Sequence, residues 1–206
     1  PGAGLLMGRP LAVLDANVLY PFQVRNLLLH IAEFGAFDPL WSDAIVSEFS
    51  RHLLGSGVVT EERLERLIGQ MRQYSPDAWG RNYEPLIDQL TLPDDDDRHV
   101  LALAIHYEAD YIVTQNTKDF PHPTTTTYGI VALTVDEFIS LLSATNPSLI
   151  VHAAEAHRVS LTRNPLMPEQ YLEELGRHSE LERTTAFLRS AGFLDLERPV
   201  VANPRS

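Results

Sequence analysis

Apolar and polar positions along this chain fall into blocks whose period changes from one to the next. Leu11 to Leu14 are four apolar residues in a row, closed by Asp15. So short a run, followed by a helix-like pattern, predicts a strand buried on both faces, as in parallel sheets. From Pro21 to Phe34 the residues Leu27, Leu28, Ile31 and Phe34 recur at helical spacing, with Gly35 as the stop. Phe37 to Trp41 reads as a short turn or strand containing Pro39. Ser42 or Asp43 then caps a helix with Ile45, Val46, Phe49 and Leu53 on its apolar stripe, ended by Gly55 and Gly57. Glu48 lies in that helix, off the stripe. Thr60 is placed to cap a third helix, whose stripe is Leu64, Leu67, Ile68 and Met71.

Tyr74 to Arg81 reads as irregular, and Tyr83 to Leu92 fits either a short helix or a strand. Pro93 breaks the chain ahead of Asp94 to Asp97, and an apolar helix follows with Val100, Leu101, Leu103, Ala104 and Tyr107. Tyr111 to Thr114 is a second buried strand, Thr124 to Thr127 a polar connector, and Ile130 to Leu133 a third strand. Thr134 and Glu137 form a capping box for a helix over Val135 to Leu142. Strands alternating with helices predict crossover units and an α/β fold around a parallel sheet. Asn146-Pro147 marks a boundary, so we expect a main domain over 9–145 and a helical C-terminal extension over 146–206. In that extension Leu149 to Leu161, Glu169 to Leu175 and Leu181 to Ala191 read as helices, with Ser179 and Glu182 a second capping box. The extension is expected to pack on the main domain or on another chain.

Composition narrows the function. The chain has 206 residues, 44% of them apolar, which suits one sizeable domain and an appendage with a real core. No run approaches the roughly 20 apolar residues of a membrane helix. Pro1 to Gly8 lacks a basic region ahead of an apolar one, so it does not read as a signal peptide. The absence of cysteine removes disulfides, thiolate metal sites and cysteine nucleophiles, and fits a reducing cytoplasm. The formal net charge is -12. A protein that held nucleic acid by phosphate contacts alone would be basic. If this chain handles nucleic acid, a bound divalent metal is the obvious means of neutralising phosphate, and the acidic balance also suits a basic partner protein.

Acids recur at predicted element ends: Asp15 after the first strand, Glu48 about one turn into its helix, Asp94 to Asp97 before the next, and Asp119 with Asn116 after the second strand. In a parallel sheet these positions emerge on one edge, where open α/β sheets place their ligands. Taken singly, each reads as a cap, a turn or a solvated helix acid. Taken together they must repel: two unit charges about 4 Å apart cost about 4 kcal/mol at an effective dielectric near 20. Such a cluster either raises its pKa values or binds a cation. All-oxygen donors without cysteine or clustered histidine fit Mg²⁺ or Mn²⁺, ions suited to phosphodiester hydrolysis. The eight histidines show no ligand spacing. His99 is expected to be partly exposed and His106 packed or hydrogen-bonded in place.

Leu14-Asp15-Ala16-Asn17, Ser42 to Phe49, Pro93-Asp94, Asp97 to Ala102, Ala109 to Asn116 and Lys118 to Pro121 resemble the PIN-domain ribonucleases. The likeness is nearest to the VapC-like toxins of bacterial toxin–antitoxin pairs, and runs from about Leu11 to Leu142. It implies a parallel sheet sandwiched between helices and a metal-dependent, single-strand-directed endoribonuclease. The family's acids fall on Asp15, Glu48 and Asp97, with Asp94 accessory. Its fourth position holds Asn116 rather than the commoner acid, which leaves open whether Asn116, Asp119 or both serve the metal. Asp15, Glu48, Asp97 and Asp119 are the implied metal ligands; Thr114 and Asn17 are implied accessories, Thr114 positioning water or a ligand side chain. The resemblance further implies Mg²⁺ or Mn²⁺, an RNA substrate, a homodimer, and an antitoxin that places a basic segment in the acidic site.

Two other readings compete. A haloacid-dehalogenase-type phosphatase also places an Asp after its first strand, but its second acid would fall on Asn17, which cannot act as a general acid. A catalytically degenerate fold used for binding has only Asn116 in its favour.

Overall fold

A computed structural model describes residues 8–57, 59–178 and 180–196. Its strands are β1 (Leu11–Leu14), β2 (Asp38–Ser42), β3 (Trp79–Gly80), β4 (Tyr111–Val113) and β5 (Val131–Leu133). They form one parallel sheet in the order β3-β2-β1-β4-β5. β1 is central, pairing Leu11 with Asp38 on one side and Leu14 with Val113 on the other. The chain winds outward from β1 through β2 to β3, then crosses back to lay β4 on the other side. The reversal opens a crevice at the carboxyl ends of β1 and β4. Burial of Ala12, Val13, Leu14, Ile112 and Val113 is complete, as expected of inner strands covered on both faces.

The helices of the first half are α1 (Ala16–Leu19), α2 (Phe22–Glu33), α3 (Asp43–Gly55) and α4 (Glu61–Tyr74). Ser42 is the cap of α3, its hydroxyl accepting from the Ile45 amide at 3.3 Å, and Ile45, Phe49 and Leu53 are buried as the spacing requires. Thr60 stands at the α4 cap position but makes no capping bond through its side chain. Phe34 departs from the apolar stripe predicted for α2: it lies past the end of the helix and is exposed. The Tyr83 to Leu92 ambiguity resolves as a 3₁₀ helix over Glu84–Gln89.

The segment read as irregular holds β3, an edge strand of two residues that pairs Trp41 with Trp79. Trp79 meets Trp41 edge to face at 5.5 Å. Gly80 is pressed so close to α5 (Arg98–His106) that a Cβ there would fall 2.4 Å from Leu103 Cδ1. The threonine run is helical rather than a connector: α6 (His122–Thr125) passes into a 3₁₀ turn at Thr126–Tyr128, and the hydroxyls of Thr126 and Thr127 bond back to the carbonyls of His122 and Pro123.

Beyond β5, α7 (Val135–Thr145) carries the predicted capping box of Thr134 and Glu137. α8 (Pro147–Ser160), α9 (Pro168–His178) and α10 (Glu182–Ser190) follow, with no strand among the described residues. This extension packs on the main domain of the same chain: α8 lies against α2, and α7 against α8 and α10. The capping box predicted for α10 is corrected. Ser179 lies outside the described residues, and the cap position falls on Leu181, which makes no side-chain cap. Asp136 of α7 supplies the cap instead, accepting from the Arg183 and Thr184 amides at 2.9 and 2.8 Å and from the Thr184 hydroxyl at 2.7 Å. His157 of α8 is sealed from solvent, bonded to the Tyr171 hydroxyl at 2.8 Å, its ring 5.3 Å from that of His30 on α2.

Candidate active site

Asp15 ends β1 and caps α1, so its carboxylate enters the crevice at the switch point. It is 3% exposed. Oδ1 accepts from the Ala16 amide at 2.6 Å, and Oδ2 accepts from Asn17 Nδ2 at 2.6 Å and Thr114 Oγ1 at 2.7 Å. Asn17 in turn donates to Thr114 Oγ1 at 2.9 Å and accepts from the Gln115 amide at 3.0 Å. The Asp15 amide donates to Val113 O at 3.1 Å, carrying the β1–β4 pairing to the carboxylate itself. Burial pushes the Asp15 pKa up, and the bonds from Thr114, Ala16 and Asn17 oppose the shift.

Asp97 sits at the junction between a 3₁₀ turn (Asp95–Asp97) and α5. Its carboxyl is pushed up to about 7, first by burial and then by the negative charges of Asp15, Asp94, Asp119 and Glu48. Glu48 is raised by burial and by Asp15. The acids placed on four separate segments by sequence therefore share one field. Asp94 contributes to it from an exposed position while its Oδ1 holds the Asp96 amide at 2.9 Å.

Asn116 and Asp119 divide the work at the end of β4. Asn116 Nδ2 donates to Asp119 Oδ2, so the amide orients the buried acid behind it. The Asn116 amide donates to Thr114 Oγ1 at 3.0 Å, which ties this turn to the Asp15 network.

Sequence reasoning missed His99. Its Nδ1 lies 2.8 Å from the Asp96 carbonyl and its Nε2 3.9 Å from Glu48 Oε2, with the side chain 15% exposed. The carbonyl can only accept, so Nδ1 carries the proton. Burial lowers the His99 pKa, against the charge of Asp96, which raises it. The signal was its place as the second residue of α5, two residues past Asp97. His106 is exposed and stands edge-on to Tyr107 at 5.1 Å.

The donors suit a hard divalent cation by their chemistry: carboxylate oxygens, mutually repelling, with no lysine or arginine bonded to Asp15, Glu48, Asp97 or Asp119 among the described residues. Among the described residues no three His, Asp or Glu side chains are gathered closely enough to hold an ion as they stand. Asp15 Oδ2 is committed to Thr114 and Asn17. A cleft of about 890 Å³ lies elsewhere, lined by Leu11, His30, Asp38 and Met71 at the amino ends of the strands. It contains none of the clustered acids.

An all-parallel sheet with an acidic crevice at its switch point defines the class as a PIN-type α/β domain. The PIN domain model matches residues 12–118, just over half of the chain, and the chain belongs to that family. The model of the VapC50 C-terminal domain matches residues 135–190, the stretch from α7 to α10. No curated protein and no solved structure matches it. No helix among the described residues is long and apolar enough to cross a membrane.

Proposed function

We propose that this protein is a Mg²⁺- or Mn²⁺-dependent endoribonuclease directed at single strands, and the toxin of a type II toxin–antitoxin pair. The observation that carries the reading is the convergence at the carboxyl ends of β1 and β4, where Thr114 joins Asp15 to the turn that holds Asp119 and where the charges of Asp15, Asp94, Asp119 and Glu48 act on Asp97. Asp15, Glu48, Asp97 and Asp119 are the proposed ligands, with Asp94 accessory. A divalent ion bound there would lower the pKa of an attacking water and offset charge building on the phosphate. The chain's own part is to orient and insulate. Thr114 and Asn17 fix Asp15 Oδ2, and Asn116 fixes Asp119, so that these carboxylates keep one geometry when a phosphodiester approaches. Asp97 gives up its proton near neutral pH, so its carboxylate is available as a donor at pH 7 and above.

A phosphatase with Asp15 as nucleophile is less favoured, because both Asp15 oxygens accept hydrogen bonds and the residue is buried. The degenerate reading also weakens: Asn116 has a role in holding Asp119, so an amide there does not remove an acid from the set. The acidic crevice suits an antitoxin that inserts basic side chains. A homodimer and a cytoplasmic setting complete the proposal.

The test is cleavage of single-stranded RNA with and without Mn²⁺ by the wild type, Asp15→Ala and Asp97→Ala. Both variants should be inactive. Undiminished cleavage by either removes the proposed centre.

A further inference from the structure

Outside the acid cluster, an exposed aromatic corner stands where α1 turns into α2. Tyr20 is 38% exposed and Phe22 54%. Tyr20 meets His52 of α3 edge-on, with ring centroids 6.4 Å apart at 84°. In an edge-on pair each ring has at most one face covered by the other. His52 and Arg51 are themselves exposed and follow Glu48 by one helical turn, so they share its side of α3. Their charges act on the Glu48 carboxylate. Tyr20 is five residues past Asp15, at the far end of the one-turn helix that Asp15 caps. Tyr20 and His52 thus adjoin the crevice from α1 and α3, while Phe22 opens α2 and lines a cleft with Leu161, Arg163 and Leu166.

A buried cation braces it. Arg25 is 4% exposed and donates through Nη1 to the carbonyls of Leu19 at 2.7 Å and Tyr20 at 3.5 Å. Its guanidinium lies 5.7 Å from the Phe22 ring centroid and 5.4 Å from that of Phe49. Among the described residues it has no carboxylate partner, and its Nε is buried without a hydrogen bond. A guanidinium without a carboxylate partner inside a chain of net charge -12 places positive potential behind the exposed Phe22 ring and beside the Tyr20 backbone. Aromatic rings backed and flanked by arginine are what single-stranded nucleic acid uses: bases stack, phosphates meet the cations.

We infer that Tyr20, Phe22 and His52, braced by Arg25 and flanked by Arg51, form a subsite that stacks an unpaired base of an RNA strand whose scissile phosphate lies at the carboxylates. The inference rests on the nuclease reading. It assigns the protein's preference for single strands to this corner, because a base in a duplex is already stacked.

The test is fluorescence anisotropy of a labelled oligouridylate, and of an abasic oligoribose phosphate of equal length, with Ca²⁺ as the ion. Tyr20→Ala and Phe22→Ala should each weaken oligouridylate binding by about 5- to 100-fold and leave the abasic strand unaffected. Tyr20→Phe should bind like the wild type. Equal loss on both strands, or no loss on either, overturns the inference. So does a change from dimer to monomer in sedimentation velocity with unaltered RNA affinity, which would make the corner a subunit contact. A wild type that neither binds nor cleaves RNA removes the nuclease reading, and this inference with it. Cleavage by the variants at wild-type KM removes the subsite alone.

Discussion

Thr114 Oγ1 donates to Asp15 Oδ2 at 2.7 Å, joining the carboxyl ends of β4 and β1 through residues 99 positions apart. The same hydroxyl accepts from Asn17 and from the Asn116 amide, so one side chain couples the acid after β1 to the turn that carries Asp119. Thr114→Val keeps the shape of the side chain and removes all three bonds. Loss of a bond that orients a metal-binding carboxylate costs about 10- to 100-fold in metal affinity. We expect Mn²⁺ affinity by calorimetry to fall by that factor in Thr114→Val and to be retained in Thr114→Ser. Unchanged affinity in the valine variant would leave the hydroxyl a structural bond only.

Asp97 makes the ion-free protein less stable as pH rises. Its native pKa, about 7, lies above the ordinary 3.8, so between those values the native state holds a proton that the unfolded chain has released. The stabilisation is complete below pH 3.8 and is lost as pH climbs through 7. The full shift corresponds to about 4 kcal/mol, and solvent screening of a half-buried carboxyl reduces that to about 1–2 kcal/mol. Asp97→Asn should therefore stabilise the metal-free protein by about 1–2 kcal/mol at pH 8 in urea unfolding, and show little gain at pH 4. A variant less stable than wild type at pH 8 would mean that Asp97 makes favourable contacts outweighing the repulsion.

His157 works in the opposite direction. Burial, with His30 beside it, lowers its pKa to about 3, below the unfolded value of 6.5. The unfolded chain then binds the extra proton, so this contribution is fully present above pH 6.5 and is lost as pH falls towards 3. Between pH 7 and pH 5 the loss is about 2 kcal/mol. His157→Phe, which also gives up the Tyr171 bond, should unfold with a pH 7 to pH 5 difference smaller than wild type by about that amount. An identical difference would show that His157 is protonated, or reached by solvent, in the folded protein.

Asp136 should matter to the extension and not to the crevice. It caps α10 from another helix with three bonds. Asp136→Ala should cost about 1–2 kcal/mol and speed amide exchange at Arg183 and Thr184, with Mn²⁺ affinity unchanged. Protected amides in the variant would mean that packing of Leu188 and Phe193 holds α10 without its cap.

The parts of this fold set by local chemistry were legible in the sequence. β1, β4 and β5 are apolar runs, α3 and α7 have their caps within three residues, and the acids mark strand ends and helix starts that a parallel sheet must bring to one edge. What escaped depends on distant partners. β3 is two residues whose strand character comes from pairing with β2 and from the fit of Gly80 under Leu103. The α10 cap lies 47 residues from the amide it serves. His99 is partly exposed as its sequence position suggested, but nothing local foretells Glu48 at 3.9 Å. The threonine run is helical, with the Thr126 and Thr127 hydroxyls bonding back to preceding carbonyls, a use of threonine that composition does not distinguish from a linker. Asn116 looked like a missing acid, and only the fold shows it donating to Asp119.

The most direct measurement of the central claim is a calorimetric titration of the purified protein with Mn²⁺, alongside Asp15→Asn and Asp97→Asn. We expect saturable binding by the wild type that is lost or greatly weakened in both variants, since each amide removes one charge from the shared field while keeping its shape. A wild type with no saturable heat, or variants that bind as tightly as it does, would contradict the account.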